Sequence, residues 1–181
     1  MSIKSRRPHS LIRCAKLMEH VNGDNLVGVE VGVFGGAFSS ALLDTYPQIK
    51  KLYGVDPYSL TTILRPGWDD AKCDSFYKDV CRDMAHYGER HQLIRIQSVQ
   101  AGFLIPNELD FAYLDGDHTI STLNVEIPMY EKKVKVGGIL AGHDYGHPSH
   151  PEVKIAVDTY ARMYGRELHT DHSVWMWWWR V

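Results

Sequence analysis

The stretch VGVEVGVFGGAFSSALL, residues 27–43, constrains the fold more than any other part of the chain. Its first half belongs to an apolar run, residues 25–31, that is too short for a helix; through Gly32, Gly35 and Gly36 it passes into a segment with helical spacing. That helix must stop ahead of Pro47, because the residue before a proline is pushed out of the α region. A strand that enters a helix through glycines leaves backbone N–H groups at the helix start with no Cβ in the way. Such a turn is a cradle for a nucleotide-like ligand.

The same alternation continues along the chain. Leu11, Cys14, Ala15, Met18 and Val21 follow Ser10 at helical spacing, which predicts a helix over 10–21 with Ser10 as its N-cap. KLYGVDPY reads as a second strand ending at Asp56-Pro57. Cys73, Phe76, Tyr77, Val80, Cys81 and Met84 form one helical stripe, closed by Gly88. HQLIRIQ and LDFAYLD read as the third and fourth strands. Ile120, Leu123, Ile127, Tyr130 and Val134 mark a further helix, kinked at Pro128. GGILAGHDY is a fifth strand, residues 152–164 a helix, and RELHT with SVWMWWWRV a closing pair of strands joined by Asp171, His172 and Ser173. Strands alternating with helices imply an α/β fold: a doubly wound, mainly parallel seven-stranded sheet with helices on both faces. The last two strands lack a helix between them, so one runs antiparallel. VWMWWWRV suits a strand covered on both faces, with a Trp at its end that reaches a dimer surface.

With 44% hydrophobic and 23% charged residues, 181 residues suit a single domain, here a tail and helix over 1–25, the sheet, and a lid over 57–75. A net charge of −2 argues against a nucleic-acid partner, and the only basic cluster, Lys4, Arg6 and Arg7, reads as a frayed tail. No run is long enough for a membrane span and no secretory pattern opens the chain, so the expected location is cytoplasmic. Cys14, Cys73 and Cys81 lack the spacing of a disulfide framework or a zinc site and read as small apolar residues on helix faces.

A dinucleotide fingerprint would need glycines at 34 and 37, where the chain has Phe34 and Ala37. What fits is Glu30-x-Gly32-x-x-x-Gly36, with Asp56 closing the next strand where an acid can accept from both ribose hydroxyls. At these residues the sequence resembles the class I S-adenosylmethionine-dependent methyltransferases, and so a Rossmann-like fold. The resemblance implies S-adenosyl-L-methionine as cofactor, held by Glu30, Gly32, Gly36, Asp56 and Asp115, with Ser98 beside the adenine. Ser39, at the start of the first crossover helix, is placed to donate to the methionine carboxylate.

The second informative stretch is DFAYLDGDHTIST. Asp115, Asp117 and His118 follow an apolar run at a strand's carboxyl end, the rim where open α/β sheets bind ligands. His143 and Asp144, in AGHDYGH, end the fifth strand at the same rim. Asp115, His143 and Asp144 make a mixed oxygen and nitrogen set for a divalent metal, able to hold a substrate diol. Asp117 is free to act as the base, with His118 as the alternative. YLDGDHTIST and GGILAGHDY are similar to the branch that includes macrocin-type and other sugar O-methyltransferases and the cephalosporin hydroxylase-like proteins. The likeness covers residues 26 to about 145. It implies Asp115 and Asp144 as Mg2+ ligands and Asp117 as general base. The departure is His143, where metal-dependent members present a second acid, which leaves manganese, iron, zinc or no metal open. His147 and His150 read as solvated loop histidines, and Tyr58, Arg65 and Trp68 as lid residues near substrate.

The expected activity is transfer of a methyl group to a hydroxyl of a small molecule such as a sugar, by in-line alignment and deprotonation. The alternatives are a nucleotide-dependent oxidoreductase or hydroxylase-like enzyme on the same fold, or a cofactor-binding domain without turnover.

Overall fold

The computed structural model describes residues 7–59 and 67–181. Its elements are α1 (Arg7–Met18), β1 (Leu26–Val31), α2 (Ala37–Thr45), β2 (Ile49–Val55), α3 (Asp70–Met84), β3 (His91–Ile94) and α4 (Ser98–Ala101), then β4 (Leu109–Leu114), α5 (Ile120–Glu131), β5 (Val134–Gly142), α6 (Pro151–Tyr164), β6 (His169–Asp171) and β7 (Met176–Arg180). The seven strands form one sheet in the order β3-β2-β1-β4-β5-β7-β6. β7 is antiparallel to β5 and β6, and the other neighbours pair in parallel. The order reverses between β1 and β4, and an open sheet binds ligands above such a switch point.

Helices cover both faces, so the central strands are buried on both sides and show no polar alternation. On β4, Phe111 and Tyr113 pack with Cys14, Phe38, Leu42 and Met84 on the α1, α2 and α3 side. Ala112 and Leu114 pack with Leu123, Ile127 and Val157 on the α5 and α6 side. The tryptophan run divides in the same way: Trp177 and Trp179 are buried toward α6, while Trp178 stacks between His20 and His169 on the other face. Trp177 and Trp179 are sheet covering, and Trp178 keeps part of its ring exposed.

Several boundaries differ from those expected. Ser10 is buried inside α1, which begins at Arg7, so it is no N-cap. α3 ends at Met84, and a 3-10 segment, Ala85–Arg90, carries the chain through Gly88 to β3. α5 runs through Pro128 and stops at Glu131; Val134, which matches the helical spacing, opens β5 instead. β3 ends at Ile94, and Ser98 starts the one-turn helix α4. The expected lid is cut short because α3 already begins at Asp70, and Arg65 lies outside the described residues. Tyr58 is fully buried in the core, and Trp68 packs edge-on to Phe76 at 5.4 Å. Cys14 and Cys73 are buried as expected.

Candidate functional site

Three strand ends converge at the rim. Gly32 N–H donates to the Val55 carbonyl at 2.8 Å and Asp115 N–H to the Val31 carbonyl at 2.7 Å. A Cβ on Gly32 would lie 2.0 Å from the Asp115 carbonyl oxygen, at a φ of +93°. The first demand on Gly32 is therefore the closeness of β1 to β4, which also opens the cleft above it. Gly32→Ala is expected to cost about 3 kcal/mol or more, from clash and backbone strain together, and equilibrium urea unfolding measures it. Gly28 thins β1 for a similar reason, since a Cβ there would meet the Phe111 ring at 2.2 Å.

The cleft has a volume of about 200 Å³ and is lined by Gly32, Asp56, Ser98, Asp115, Asp117 and Glu126 among apolar walls from Val31, Val55 and Phe34. Asp56 shapes it: one carboxylate oxygen accepts from Phe34 N–H and the other from Tyr58 N–H, both at 2.8 Å. Tyr58 Oη returns a hydrogen bond to the Phe34 carbonyl at 3.0 Å. Burial pushes the Asp56 carboxyl above its ordinary range, against the pull of the two N–H donors. Each oxygen keeps a lone pair for a ligand hydroxyl.

Glu30, Ser39 and Gly36 do not line this cleft. Glu30 is 1% exposed and accepts a hydrogen bond from the fully buried Ser39, so the two satisfy each other beneath α2. Burial pushes the Glu30 carboxyl up to about 8, although the Ser39 hydroxyl favours its charged form. Gly36 is the left-handed N-cap of α2, and a Cβ there would press on Met84 of α3. Its glycine answers a turn and a helix contact.

Beyond Asp115 a second cavity of about 280 Å³ is lined by His9, Arg13, His143, Asp144, His147 and Trp175. Arg13 Nη1 donates to Asp115 Oδ2 at 2.6 Å. His143 Nδ1 lies 3.5 Å from Asp115 Oδ1 and 3.2 Å from Asp144 Oδ2, and His118 Nε2 lies 2.8 Å from Asp144 Oδ2. Burial opposes charge on His143, but Asp115 and Asp144 outweigh it and raise its pKa to about 9. His118 is raised in the same way, against burial, by Asp144. Burial also opposes the charged form of Asp144, yet the two imidazoles hold its carboxyl well below the usual carboxylate range.

The structure thus brings the expected trio Asp115, His143 and Asp144 together, each with a ligand atom within 4.8 Å of the others. It does not suit magnesium. Mg2+ asks for oxygen ligands, and here one donor is an imidazole while Asp115 is already neutralised by a guanidinium. Asp117 does not stand free: Oδ1 accepts from Thr119 N–H at 2.8 Å and Oδ2 from Thr122 Oγ1 at 3.1 Å, which ties it to the start of α5.

Arg13 and Glu126 are additions that the motifs do not point to. Both sit where a helical stripe calls for an apolar side chain, Arg13 among Ser10, Cys14 and Leu17, and Glu126 among Leu123, Ile127 and Tyr130. A charged residue at a core position was the available signal. Glu126 is fully buried at the cleft wall, and neither carboxyl oxygen has a well-directed hydrogen bond. Burial pushes it up to about 7, with the nearby Ser98 pulling the other way.

Known proteins share this architecture. The O-methyltransferase NovP superposes with a TM-score of 0.64 at 21% identity, covering 95% of this chain and 79% of that one. CalS11, a TDP-rhamnose 3'-O-methyltransferase of calicheamicin biosynthesis, gives 0.65 at 18%, covering 94% and 78%. An rRNA methylase from Streptococcus thermophilus gives 0.61 at 16%, covering 93% and 92%. At such identities these likenesses show the fold alone. Uncharacterized protein R132 of Acanthamoeba polyphaga mimivirus is 27% identical over 140 residues, which is 75% of this chain and 59% of that protein. The chain therefore spans under two thirds of that relative's length. The family model described as a methyltransferase domain matches residues 29–145, from inside β1 to the end of the Asp144 turn. With the cleft and the histidine cluster both inside or against that span, the chain belongs to the methyltransferase-domain family.

Proposed function

We propose that the chain is an S-adenosylmethionine-dependent O-methyltransferase acting on a hydroxyl of a small molecule such as a sugar. The observation that carries this reading is the pair of cavities that meet at the Asp115–His143 contact. Transfer between two bound molecules needs two adjoining pockets and an in-line path between them. The cleft lined by Gly32, Asp56 and Ser98 would hold the methyl donor, with Asp56 as acceptor for ribose hydroxyls, Ser98 toward the adenine and Asp115 toward the methionine end. The cavity beyond takes the acceptor. NovP and CalS11, both O-methyltransferases by name, support a hydroxyl acceptor, and the net charge of −2 speaks against RNA. No helix among the described residues is long and apolar enough to cross a membrane.

The chain's own groups divide the work by position. His143 lines the acceptor cavity and turns Nδ1 toward two carboxylates, which leaves Nε2 for the acceptor proton. Asp115 and Asp144, which raise the pKa of the ring to about 9, stabilise the imidazolium that results; only the neutral ring accepts, so transfer is expected to rise with pH toward that value. Asp117 and His118, the bases expected from sequence, are held to α5 and to Asp144. Arg13 fixes Asp115 and keeps its charge balanced.

Calorimetry with S-adenosylhomocysteine tests the donor site. Wild-type protein is expected to bind it, and Asp56→Ala to weaken binding by about tenfold or more, the worth of one or two hydrogen bonds to a charged acceptor. A protein stabilised by NAD and indifferent to S-adenosylhomocysteine would overturn the reading in favour of an oxidoreductase.

A further inference from the structure

Asp144 stands between two groups of ligand-type atoms. Asp115 and His143 lie on one side; His118 and His150 lie on the other, and within each group of three the ligand atoms fall within 4.8 Å of one another. The first group is already charge-balanced, because Arg13 holds Asp115 at 2.6 Å. A dication placed against Asp115 would face that partly buried guanidinium at close range, where screening by water is weak. In the second group Asp144 meets His118 and His150, and its charged partners among the described residues are imidazoles alone, His143 at 3.2 Å included, none of them a lysine or arginine with a fixed charge.

We propose that His118, Asp144 and His150 bind one divalent transition-metal ion, Asp144 supplying an oxygen and each histidine a ring nitrogen. His118 Nε2 is 2.8 Å from Asp144 Oδ2 but lies off the line of a directed hydrogen bond, so this buried nitrogen has no well-directed hydrogen-bond partner. The His118 and His150 rings are 4.0 Å apart. His150 is held in place as the residue that starts α6, and its N–H donates to the His147 carbonyl at 2.9 Å. Asp144 is likewise pinned, with its carbonyl accepting from His147 N–H at 3.1 Å. Two nitrogens and one carboxylate oxygen suit zinc, cobalt, iron or manganese and not magnesium or calcium. Three protein ligands leave coordination positions open, as in sites where the ion meets a substrate. Asp144 also lines the acceptor cavity, so on the methyl-transfer reading the open positions serve an acceptor oxygen, while His143 remains free as the base.

The experiment titrates chelator-treated full-length protein with Co2+ and with Zn2+, in the absence of any methyl donor. Calorimetry and the visible spectrum of Co2+ report binding. One equivalent is expected to bind to wild type. His150→Gln and His118→Gln should each weaken it by about a hundredfold or more, whereas His143→Gln, which removes a neighbour of Asp144 and not a ligand, should weaken it by about tenfold or less. Circular dichroism and Tm of each variant show that the fold persists. As a gain of signal that does not depend on loss, His150→Cys is expected to add a thiolate-to-cobalt charge-transfer band. Failure of wild type to bind either ion overturns the proposal. So does loss of binding in His143→Gln with retention in His150→Gln, which would move the ion to the Asp115 side. Equal binding in every variant would place the ion elsewhere and overturn it as well. Because no methyl donor is present, these outcomes are independent of whether S-adenosylhomocysteine binds.

Discussion

His143→Gln is expected to lower the rate of methyl transfer by about 10²–10⁴-fold while leaving the affinity for S-adenosylhomocysteine within about threefold of wild type. The reason is its place. His143 lines the acceptor cavity and not the donor cleft, and its Nδ1 is engaged by Asp115 and Asp144. Glutamine fills similar space and can hydrogen-bond the carboxylates, but it has no ring nitrogen that can take a proton, so the rise of the wild-type rate with pH toward about 9 should vanish as well. Asp117→Asn should cost less than about tenfold, because asparagine still offers an oxygen to the Thr119 N–H that Asp117 now caps. The measurement is single-turnover transfer from labelled S-adenosylmethionine to an acceptor found in a hydroxyl library. A silent His143→Gln combined with a crippled Asp117→Asn would return the base to the position expected from sequence.

The folded state is expected to lose stability as pH rises from about 5 to about 8. Glu30 and Glu126 are both buried, and burial lifts their carboxyls to about 8 and about 7 from an ordinary value of 4.5. In the unfolded chain these groups ionise near 4.5, so between 4.5 and the raised values the unfolded state holds fewer protons than the native state. Stability therefore falls with pH across that window, and His143, raised to about 9, continues the fall above it. Each tenfold gain in proton affinity is worth about 1.4 kcal/mol, so the two groups together amount to several kcal/mol, a large share of a typical domain's net stability. Urea unfolding at a series of pH values measures the slope. Glu126→Gln should make it shallower between about pH 5 and 7 and leave the part above 7, which belongs to Glu30 and His143. An unchanged slope in Glu126→Gln would mean that water or a partner already solvates this carboxyl.

Much of the architecture is legible in the sequence because a doubly covered parallel sheet writes itself as short continuous apolar runs between helices. LDFAYLD and GGILAG read as strands for that reason, and both are. Where local pattern and tertiary role diverge, the pattern misleads. Val134 matches a helical spacing by coincidence of register, yet β5 starts there because Leu109 of β4 needs a parallel partner. Tyr58 stands in a polar connection that reads as a lid, but its hydroxyl closes the loop around Phe34 and the side chain is buried.

The rim residues show the same division. Asp56, Ser98, Asp115 and Asp117 line the donor cleft, and His143 and Asp144 the cavity beside it, because residues that end parallel strands share one edge of the sheet. That much follows from the order of strands and helices and was written in the chain, together with the family and the glycine at residue 32. What each polar group faces was not. Glu30 turns to Ser39, Arg13 comes from a helix far away in the chain to neutralise Asp115, Glu126 is buried against the cleft beside Ser98, and His150 is brought beside His118 and Asp144. These pairings wait for the folded molecule, because charge pairing acts through space over a few ångströms between residues that sequence spacing leaves unrelated.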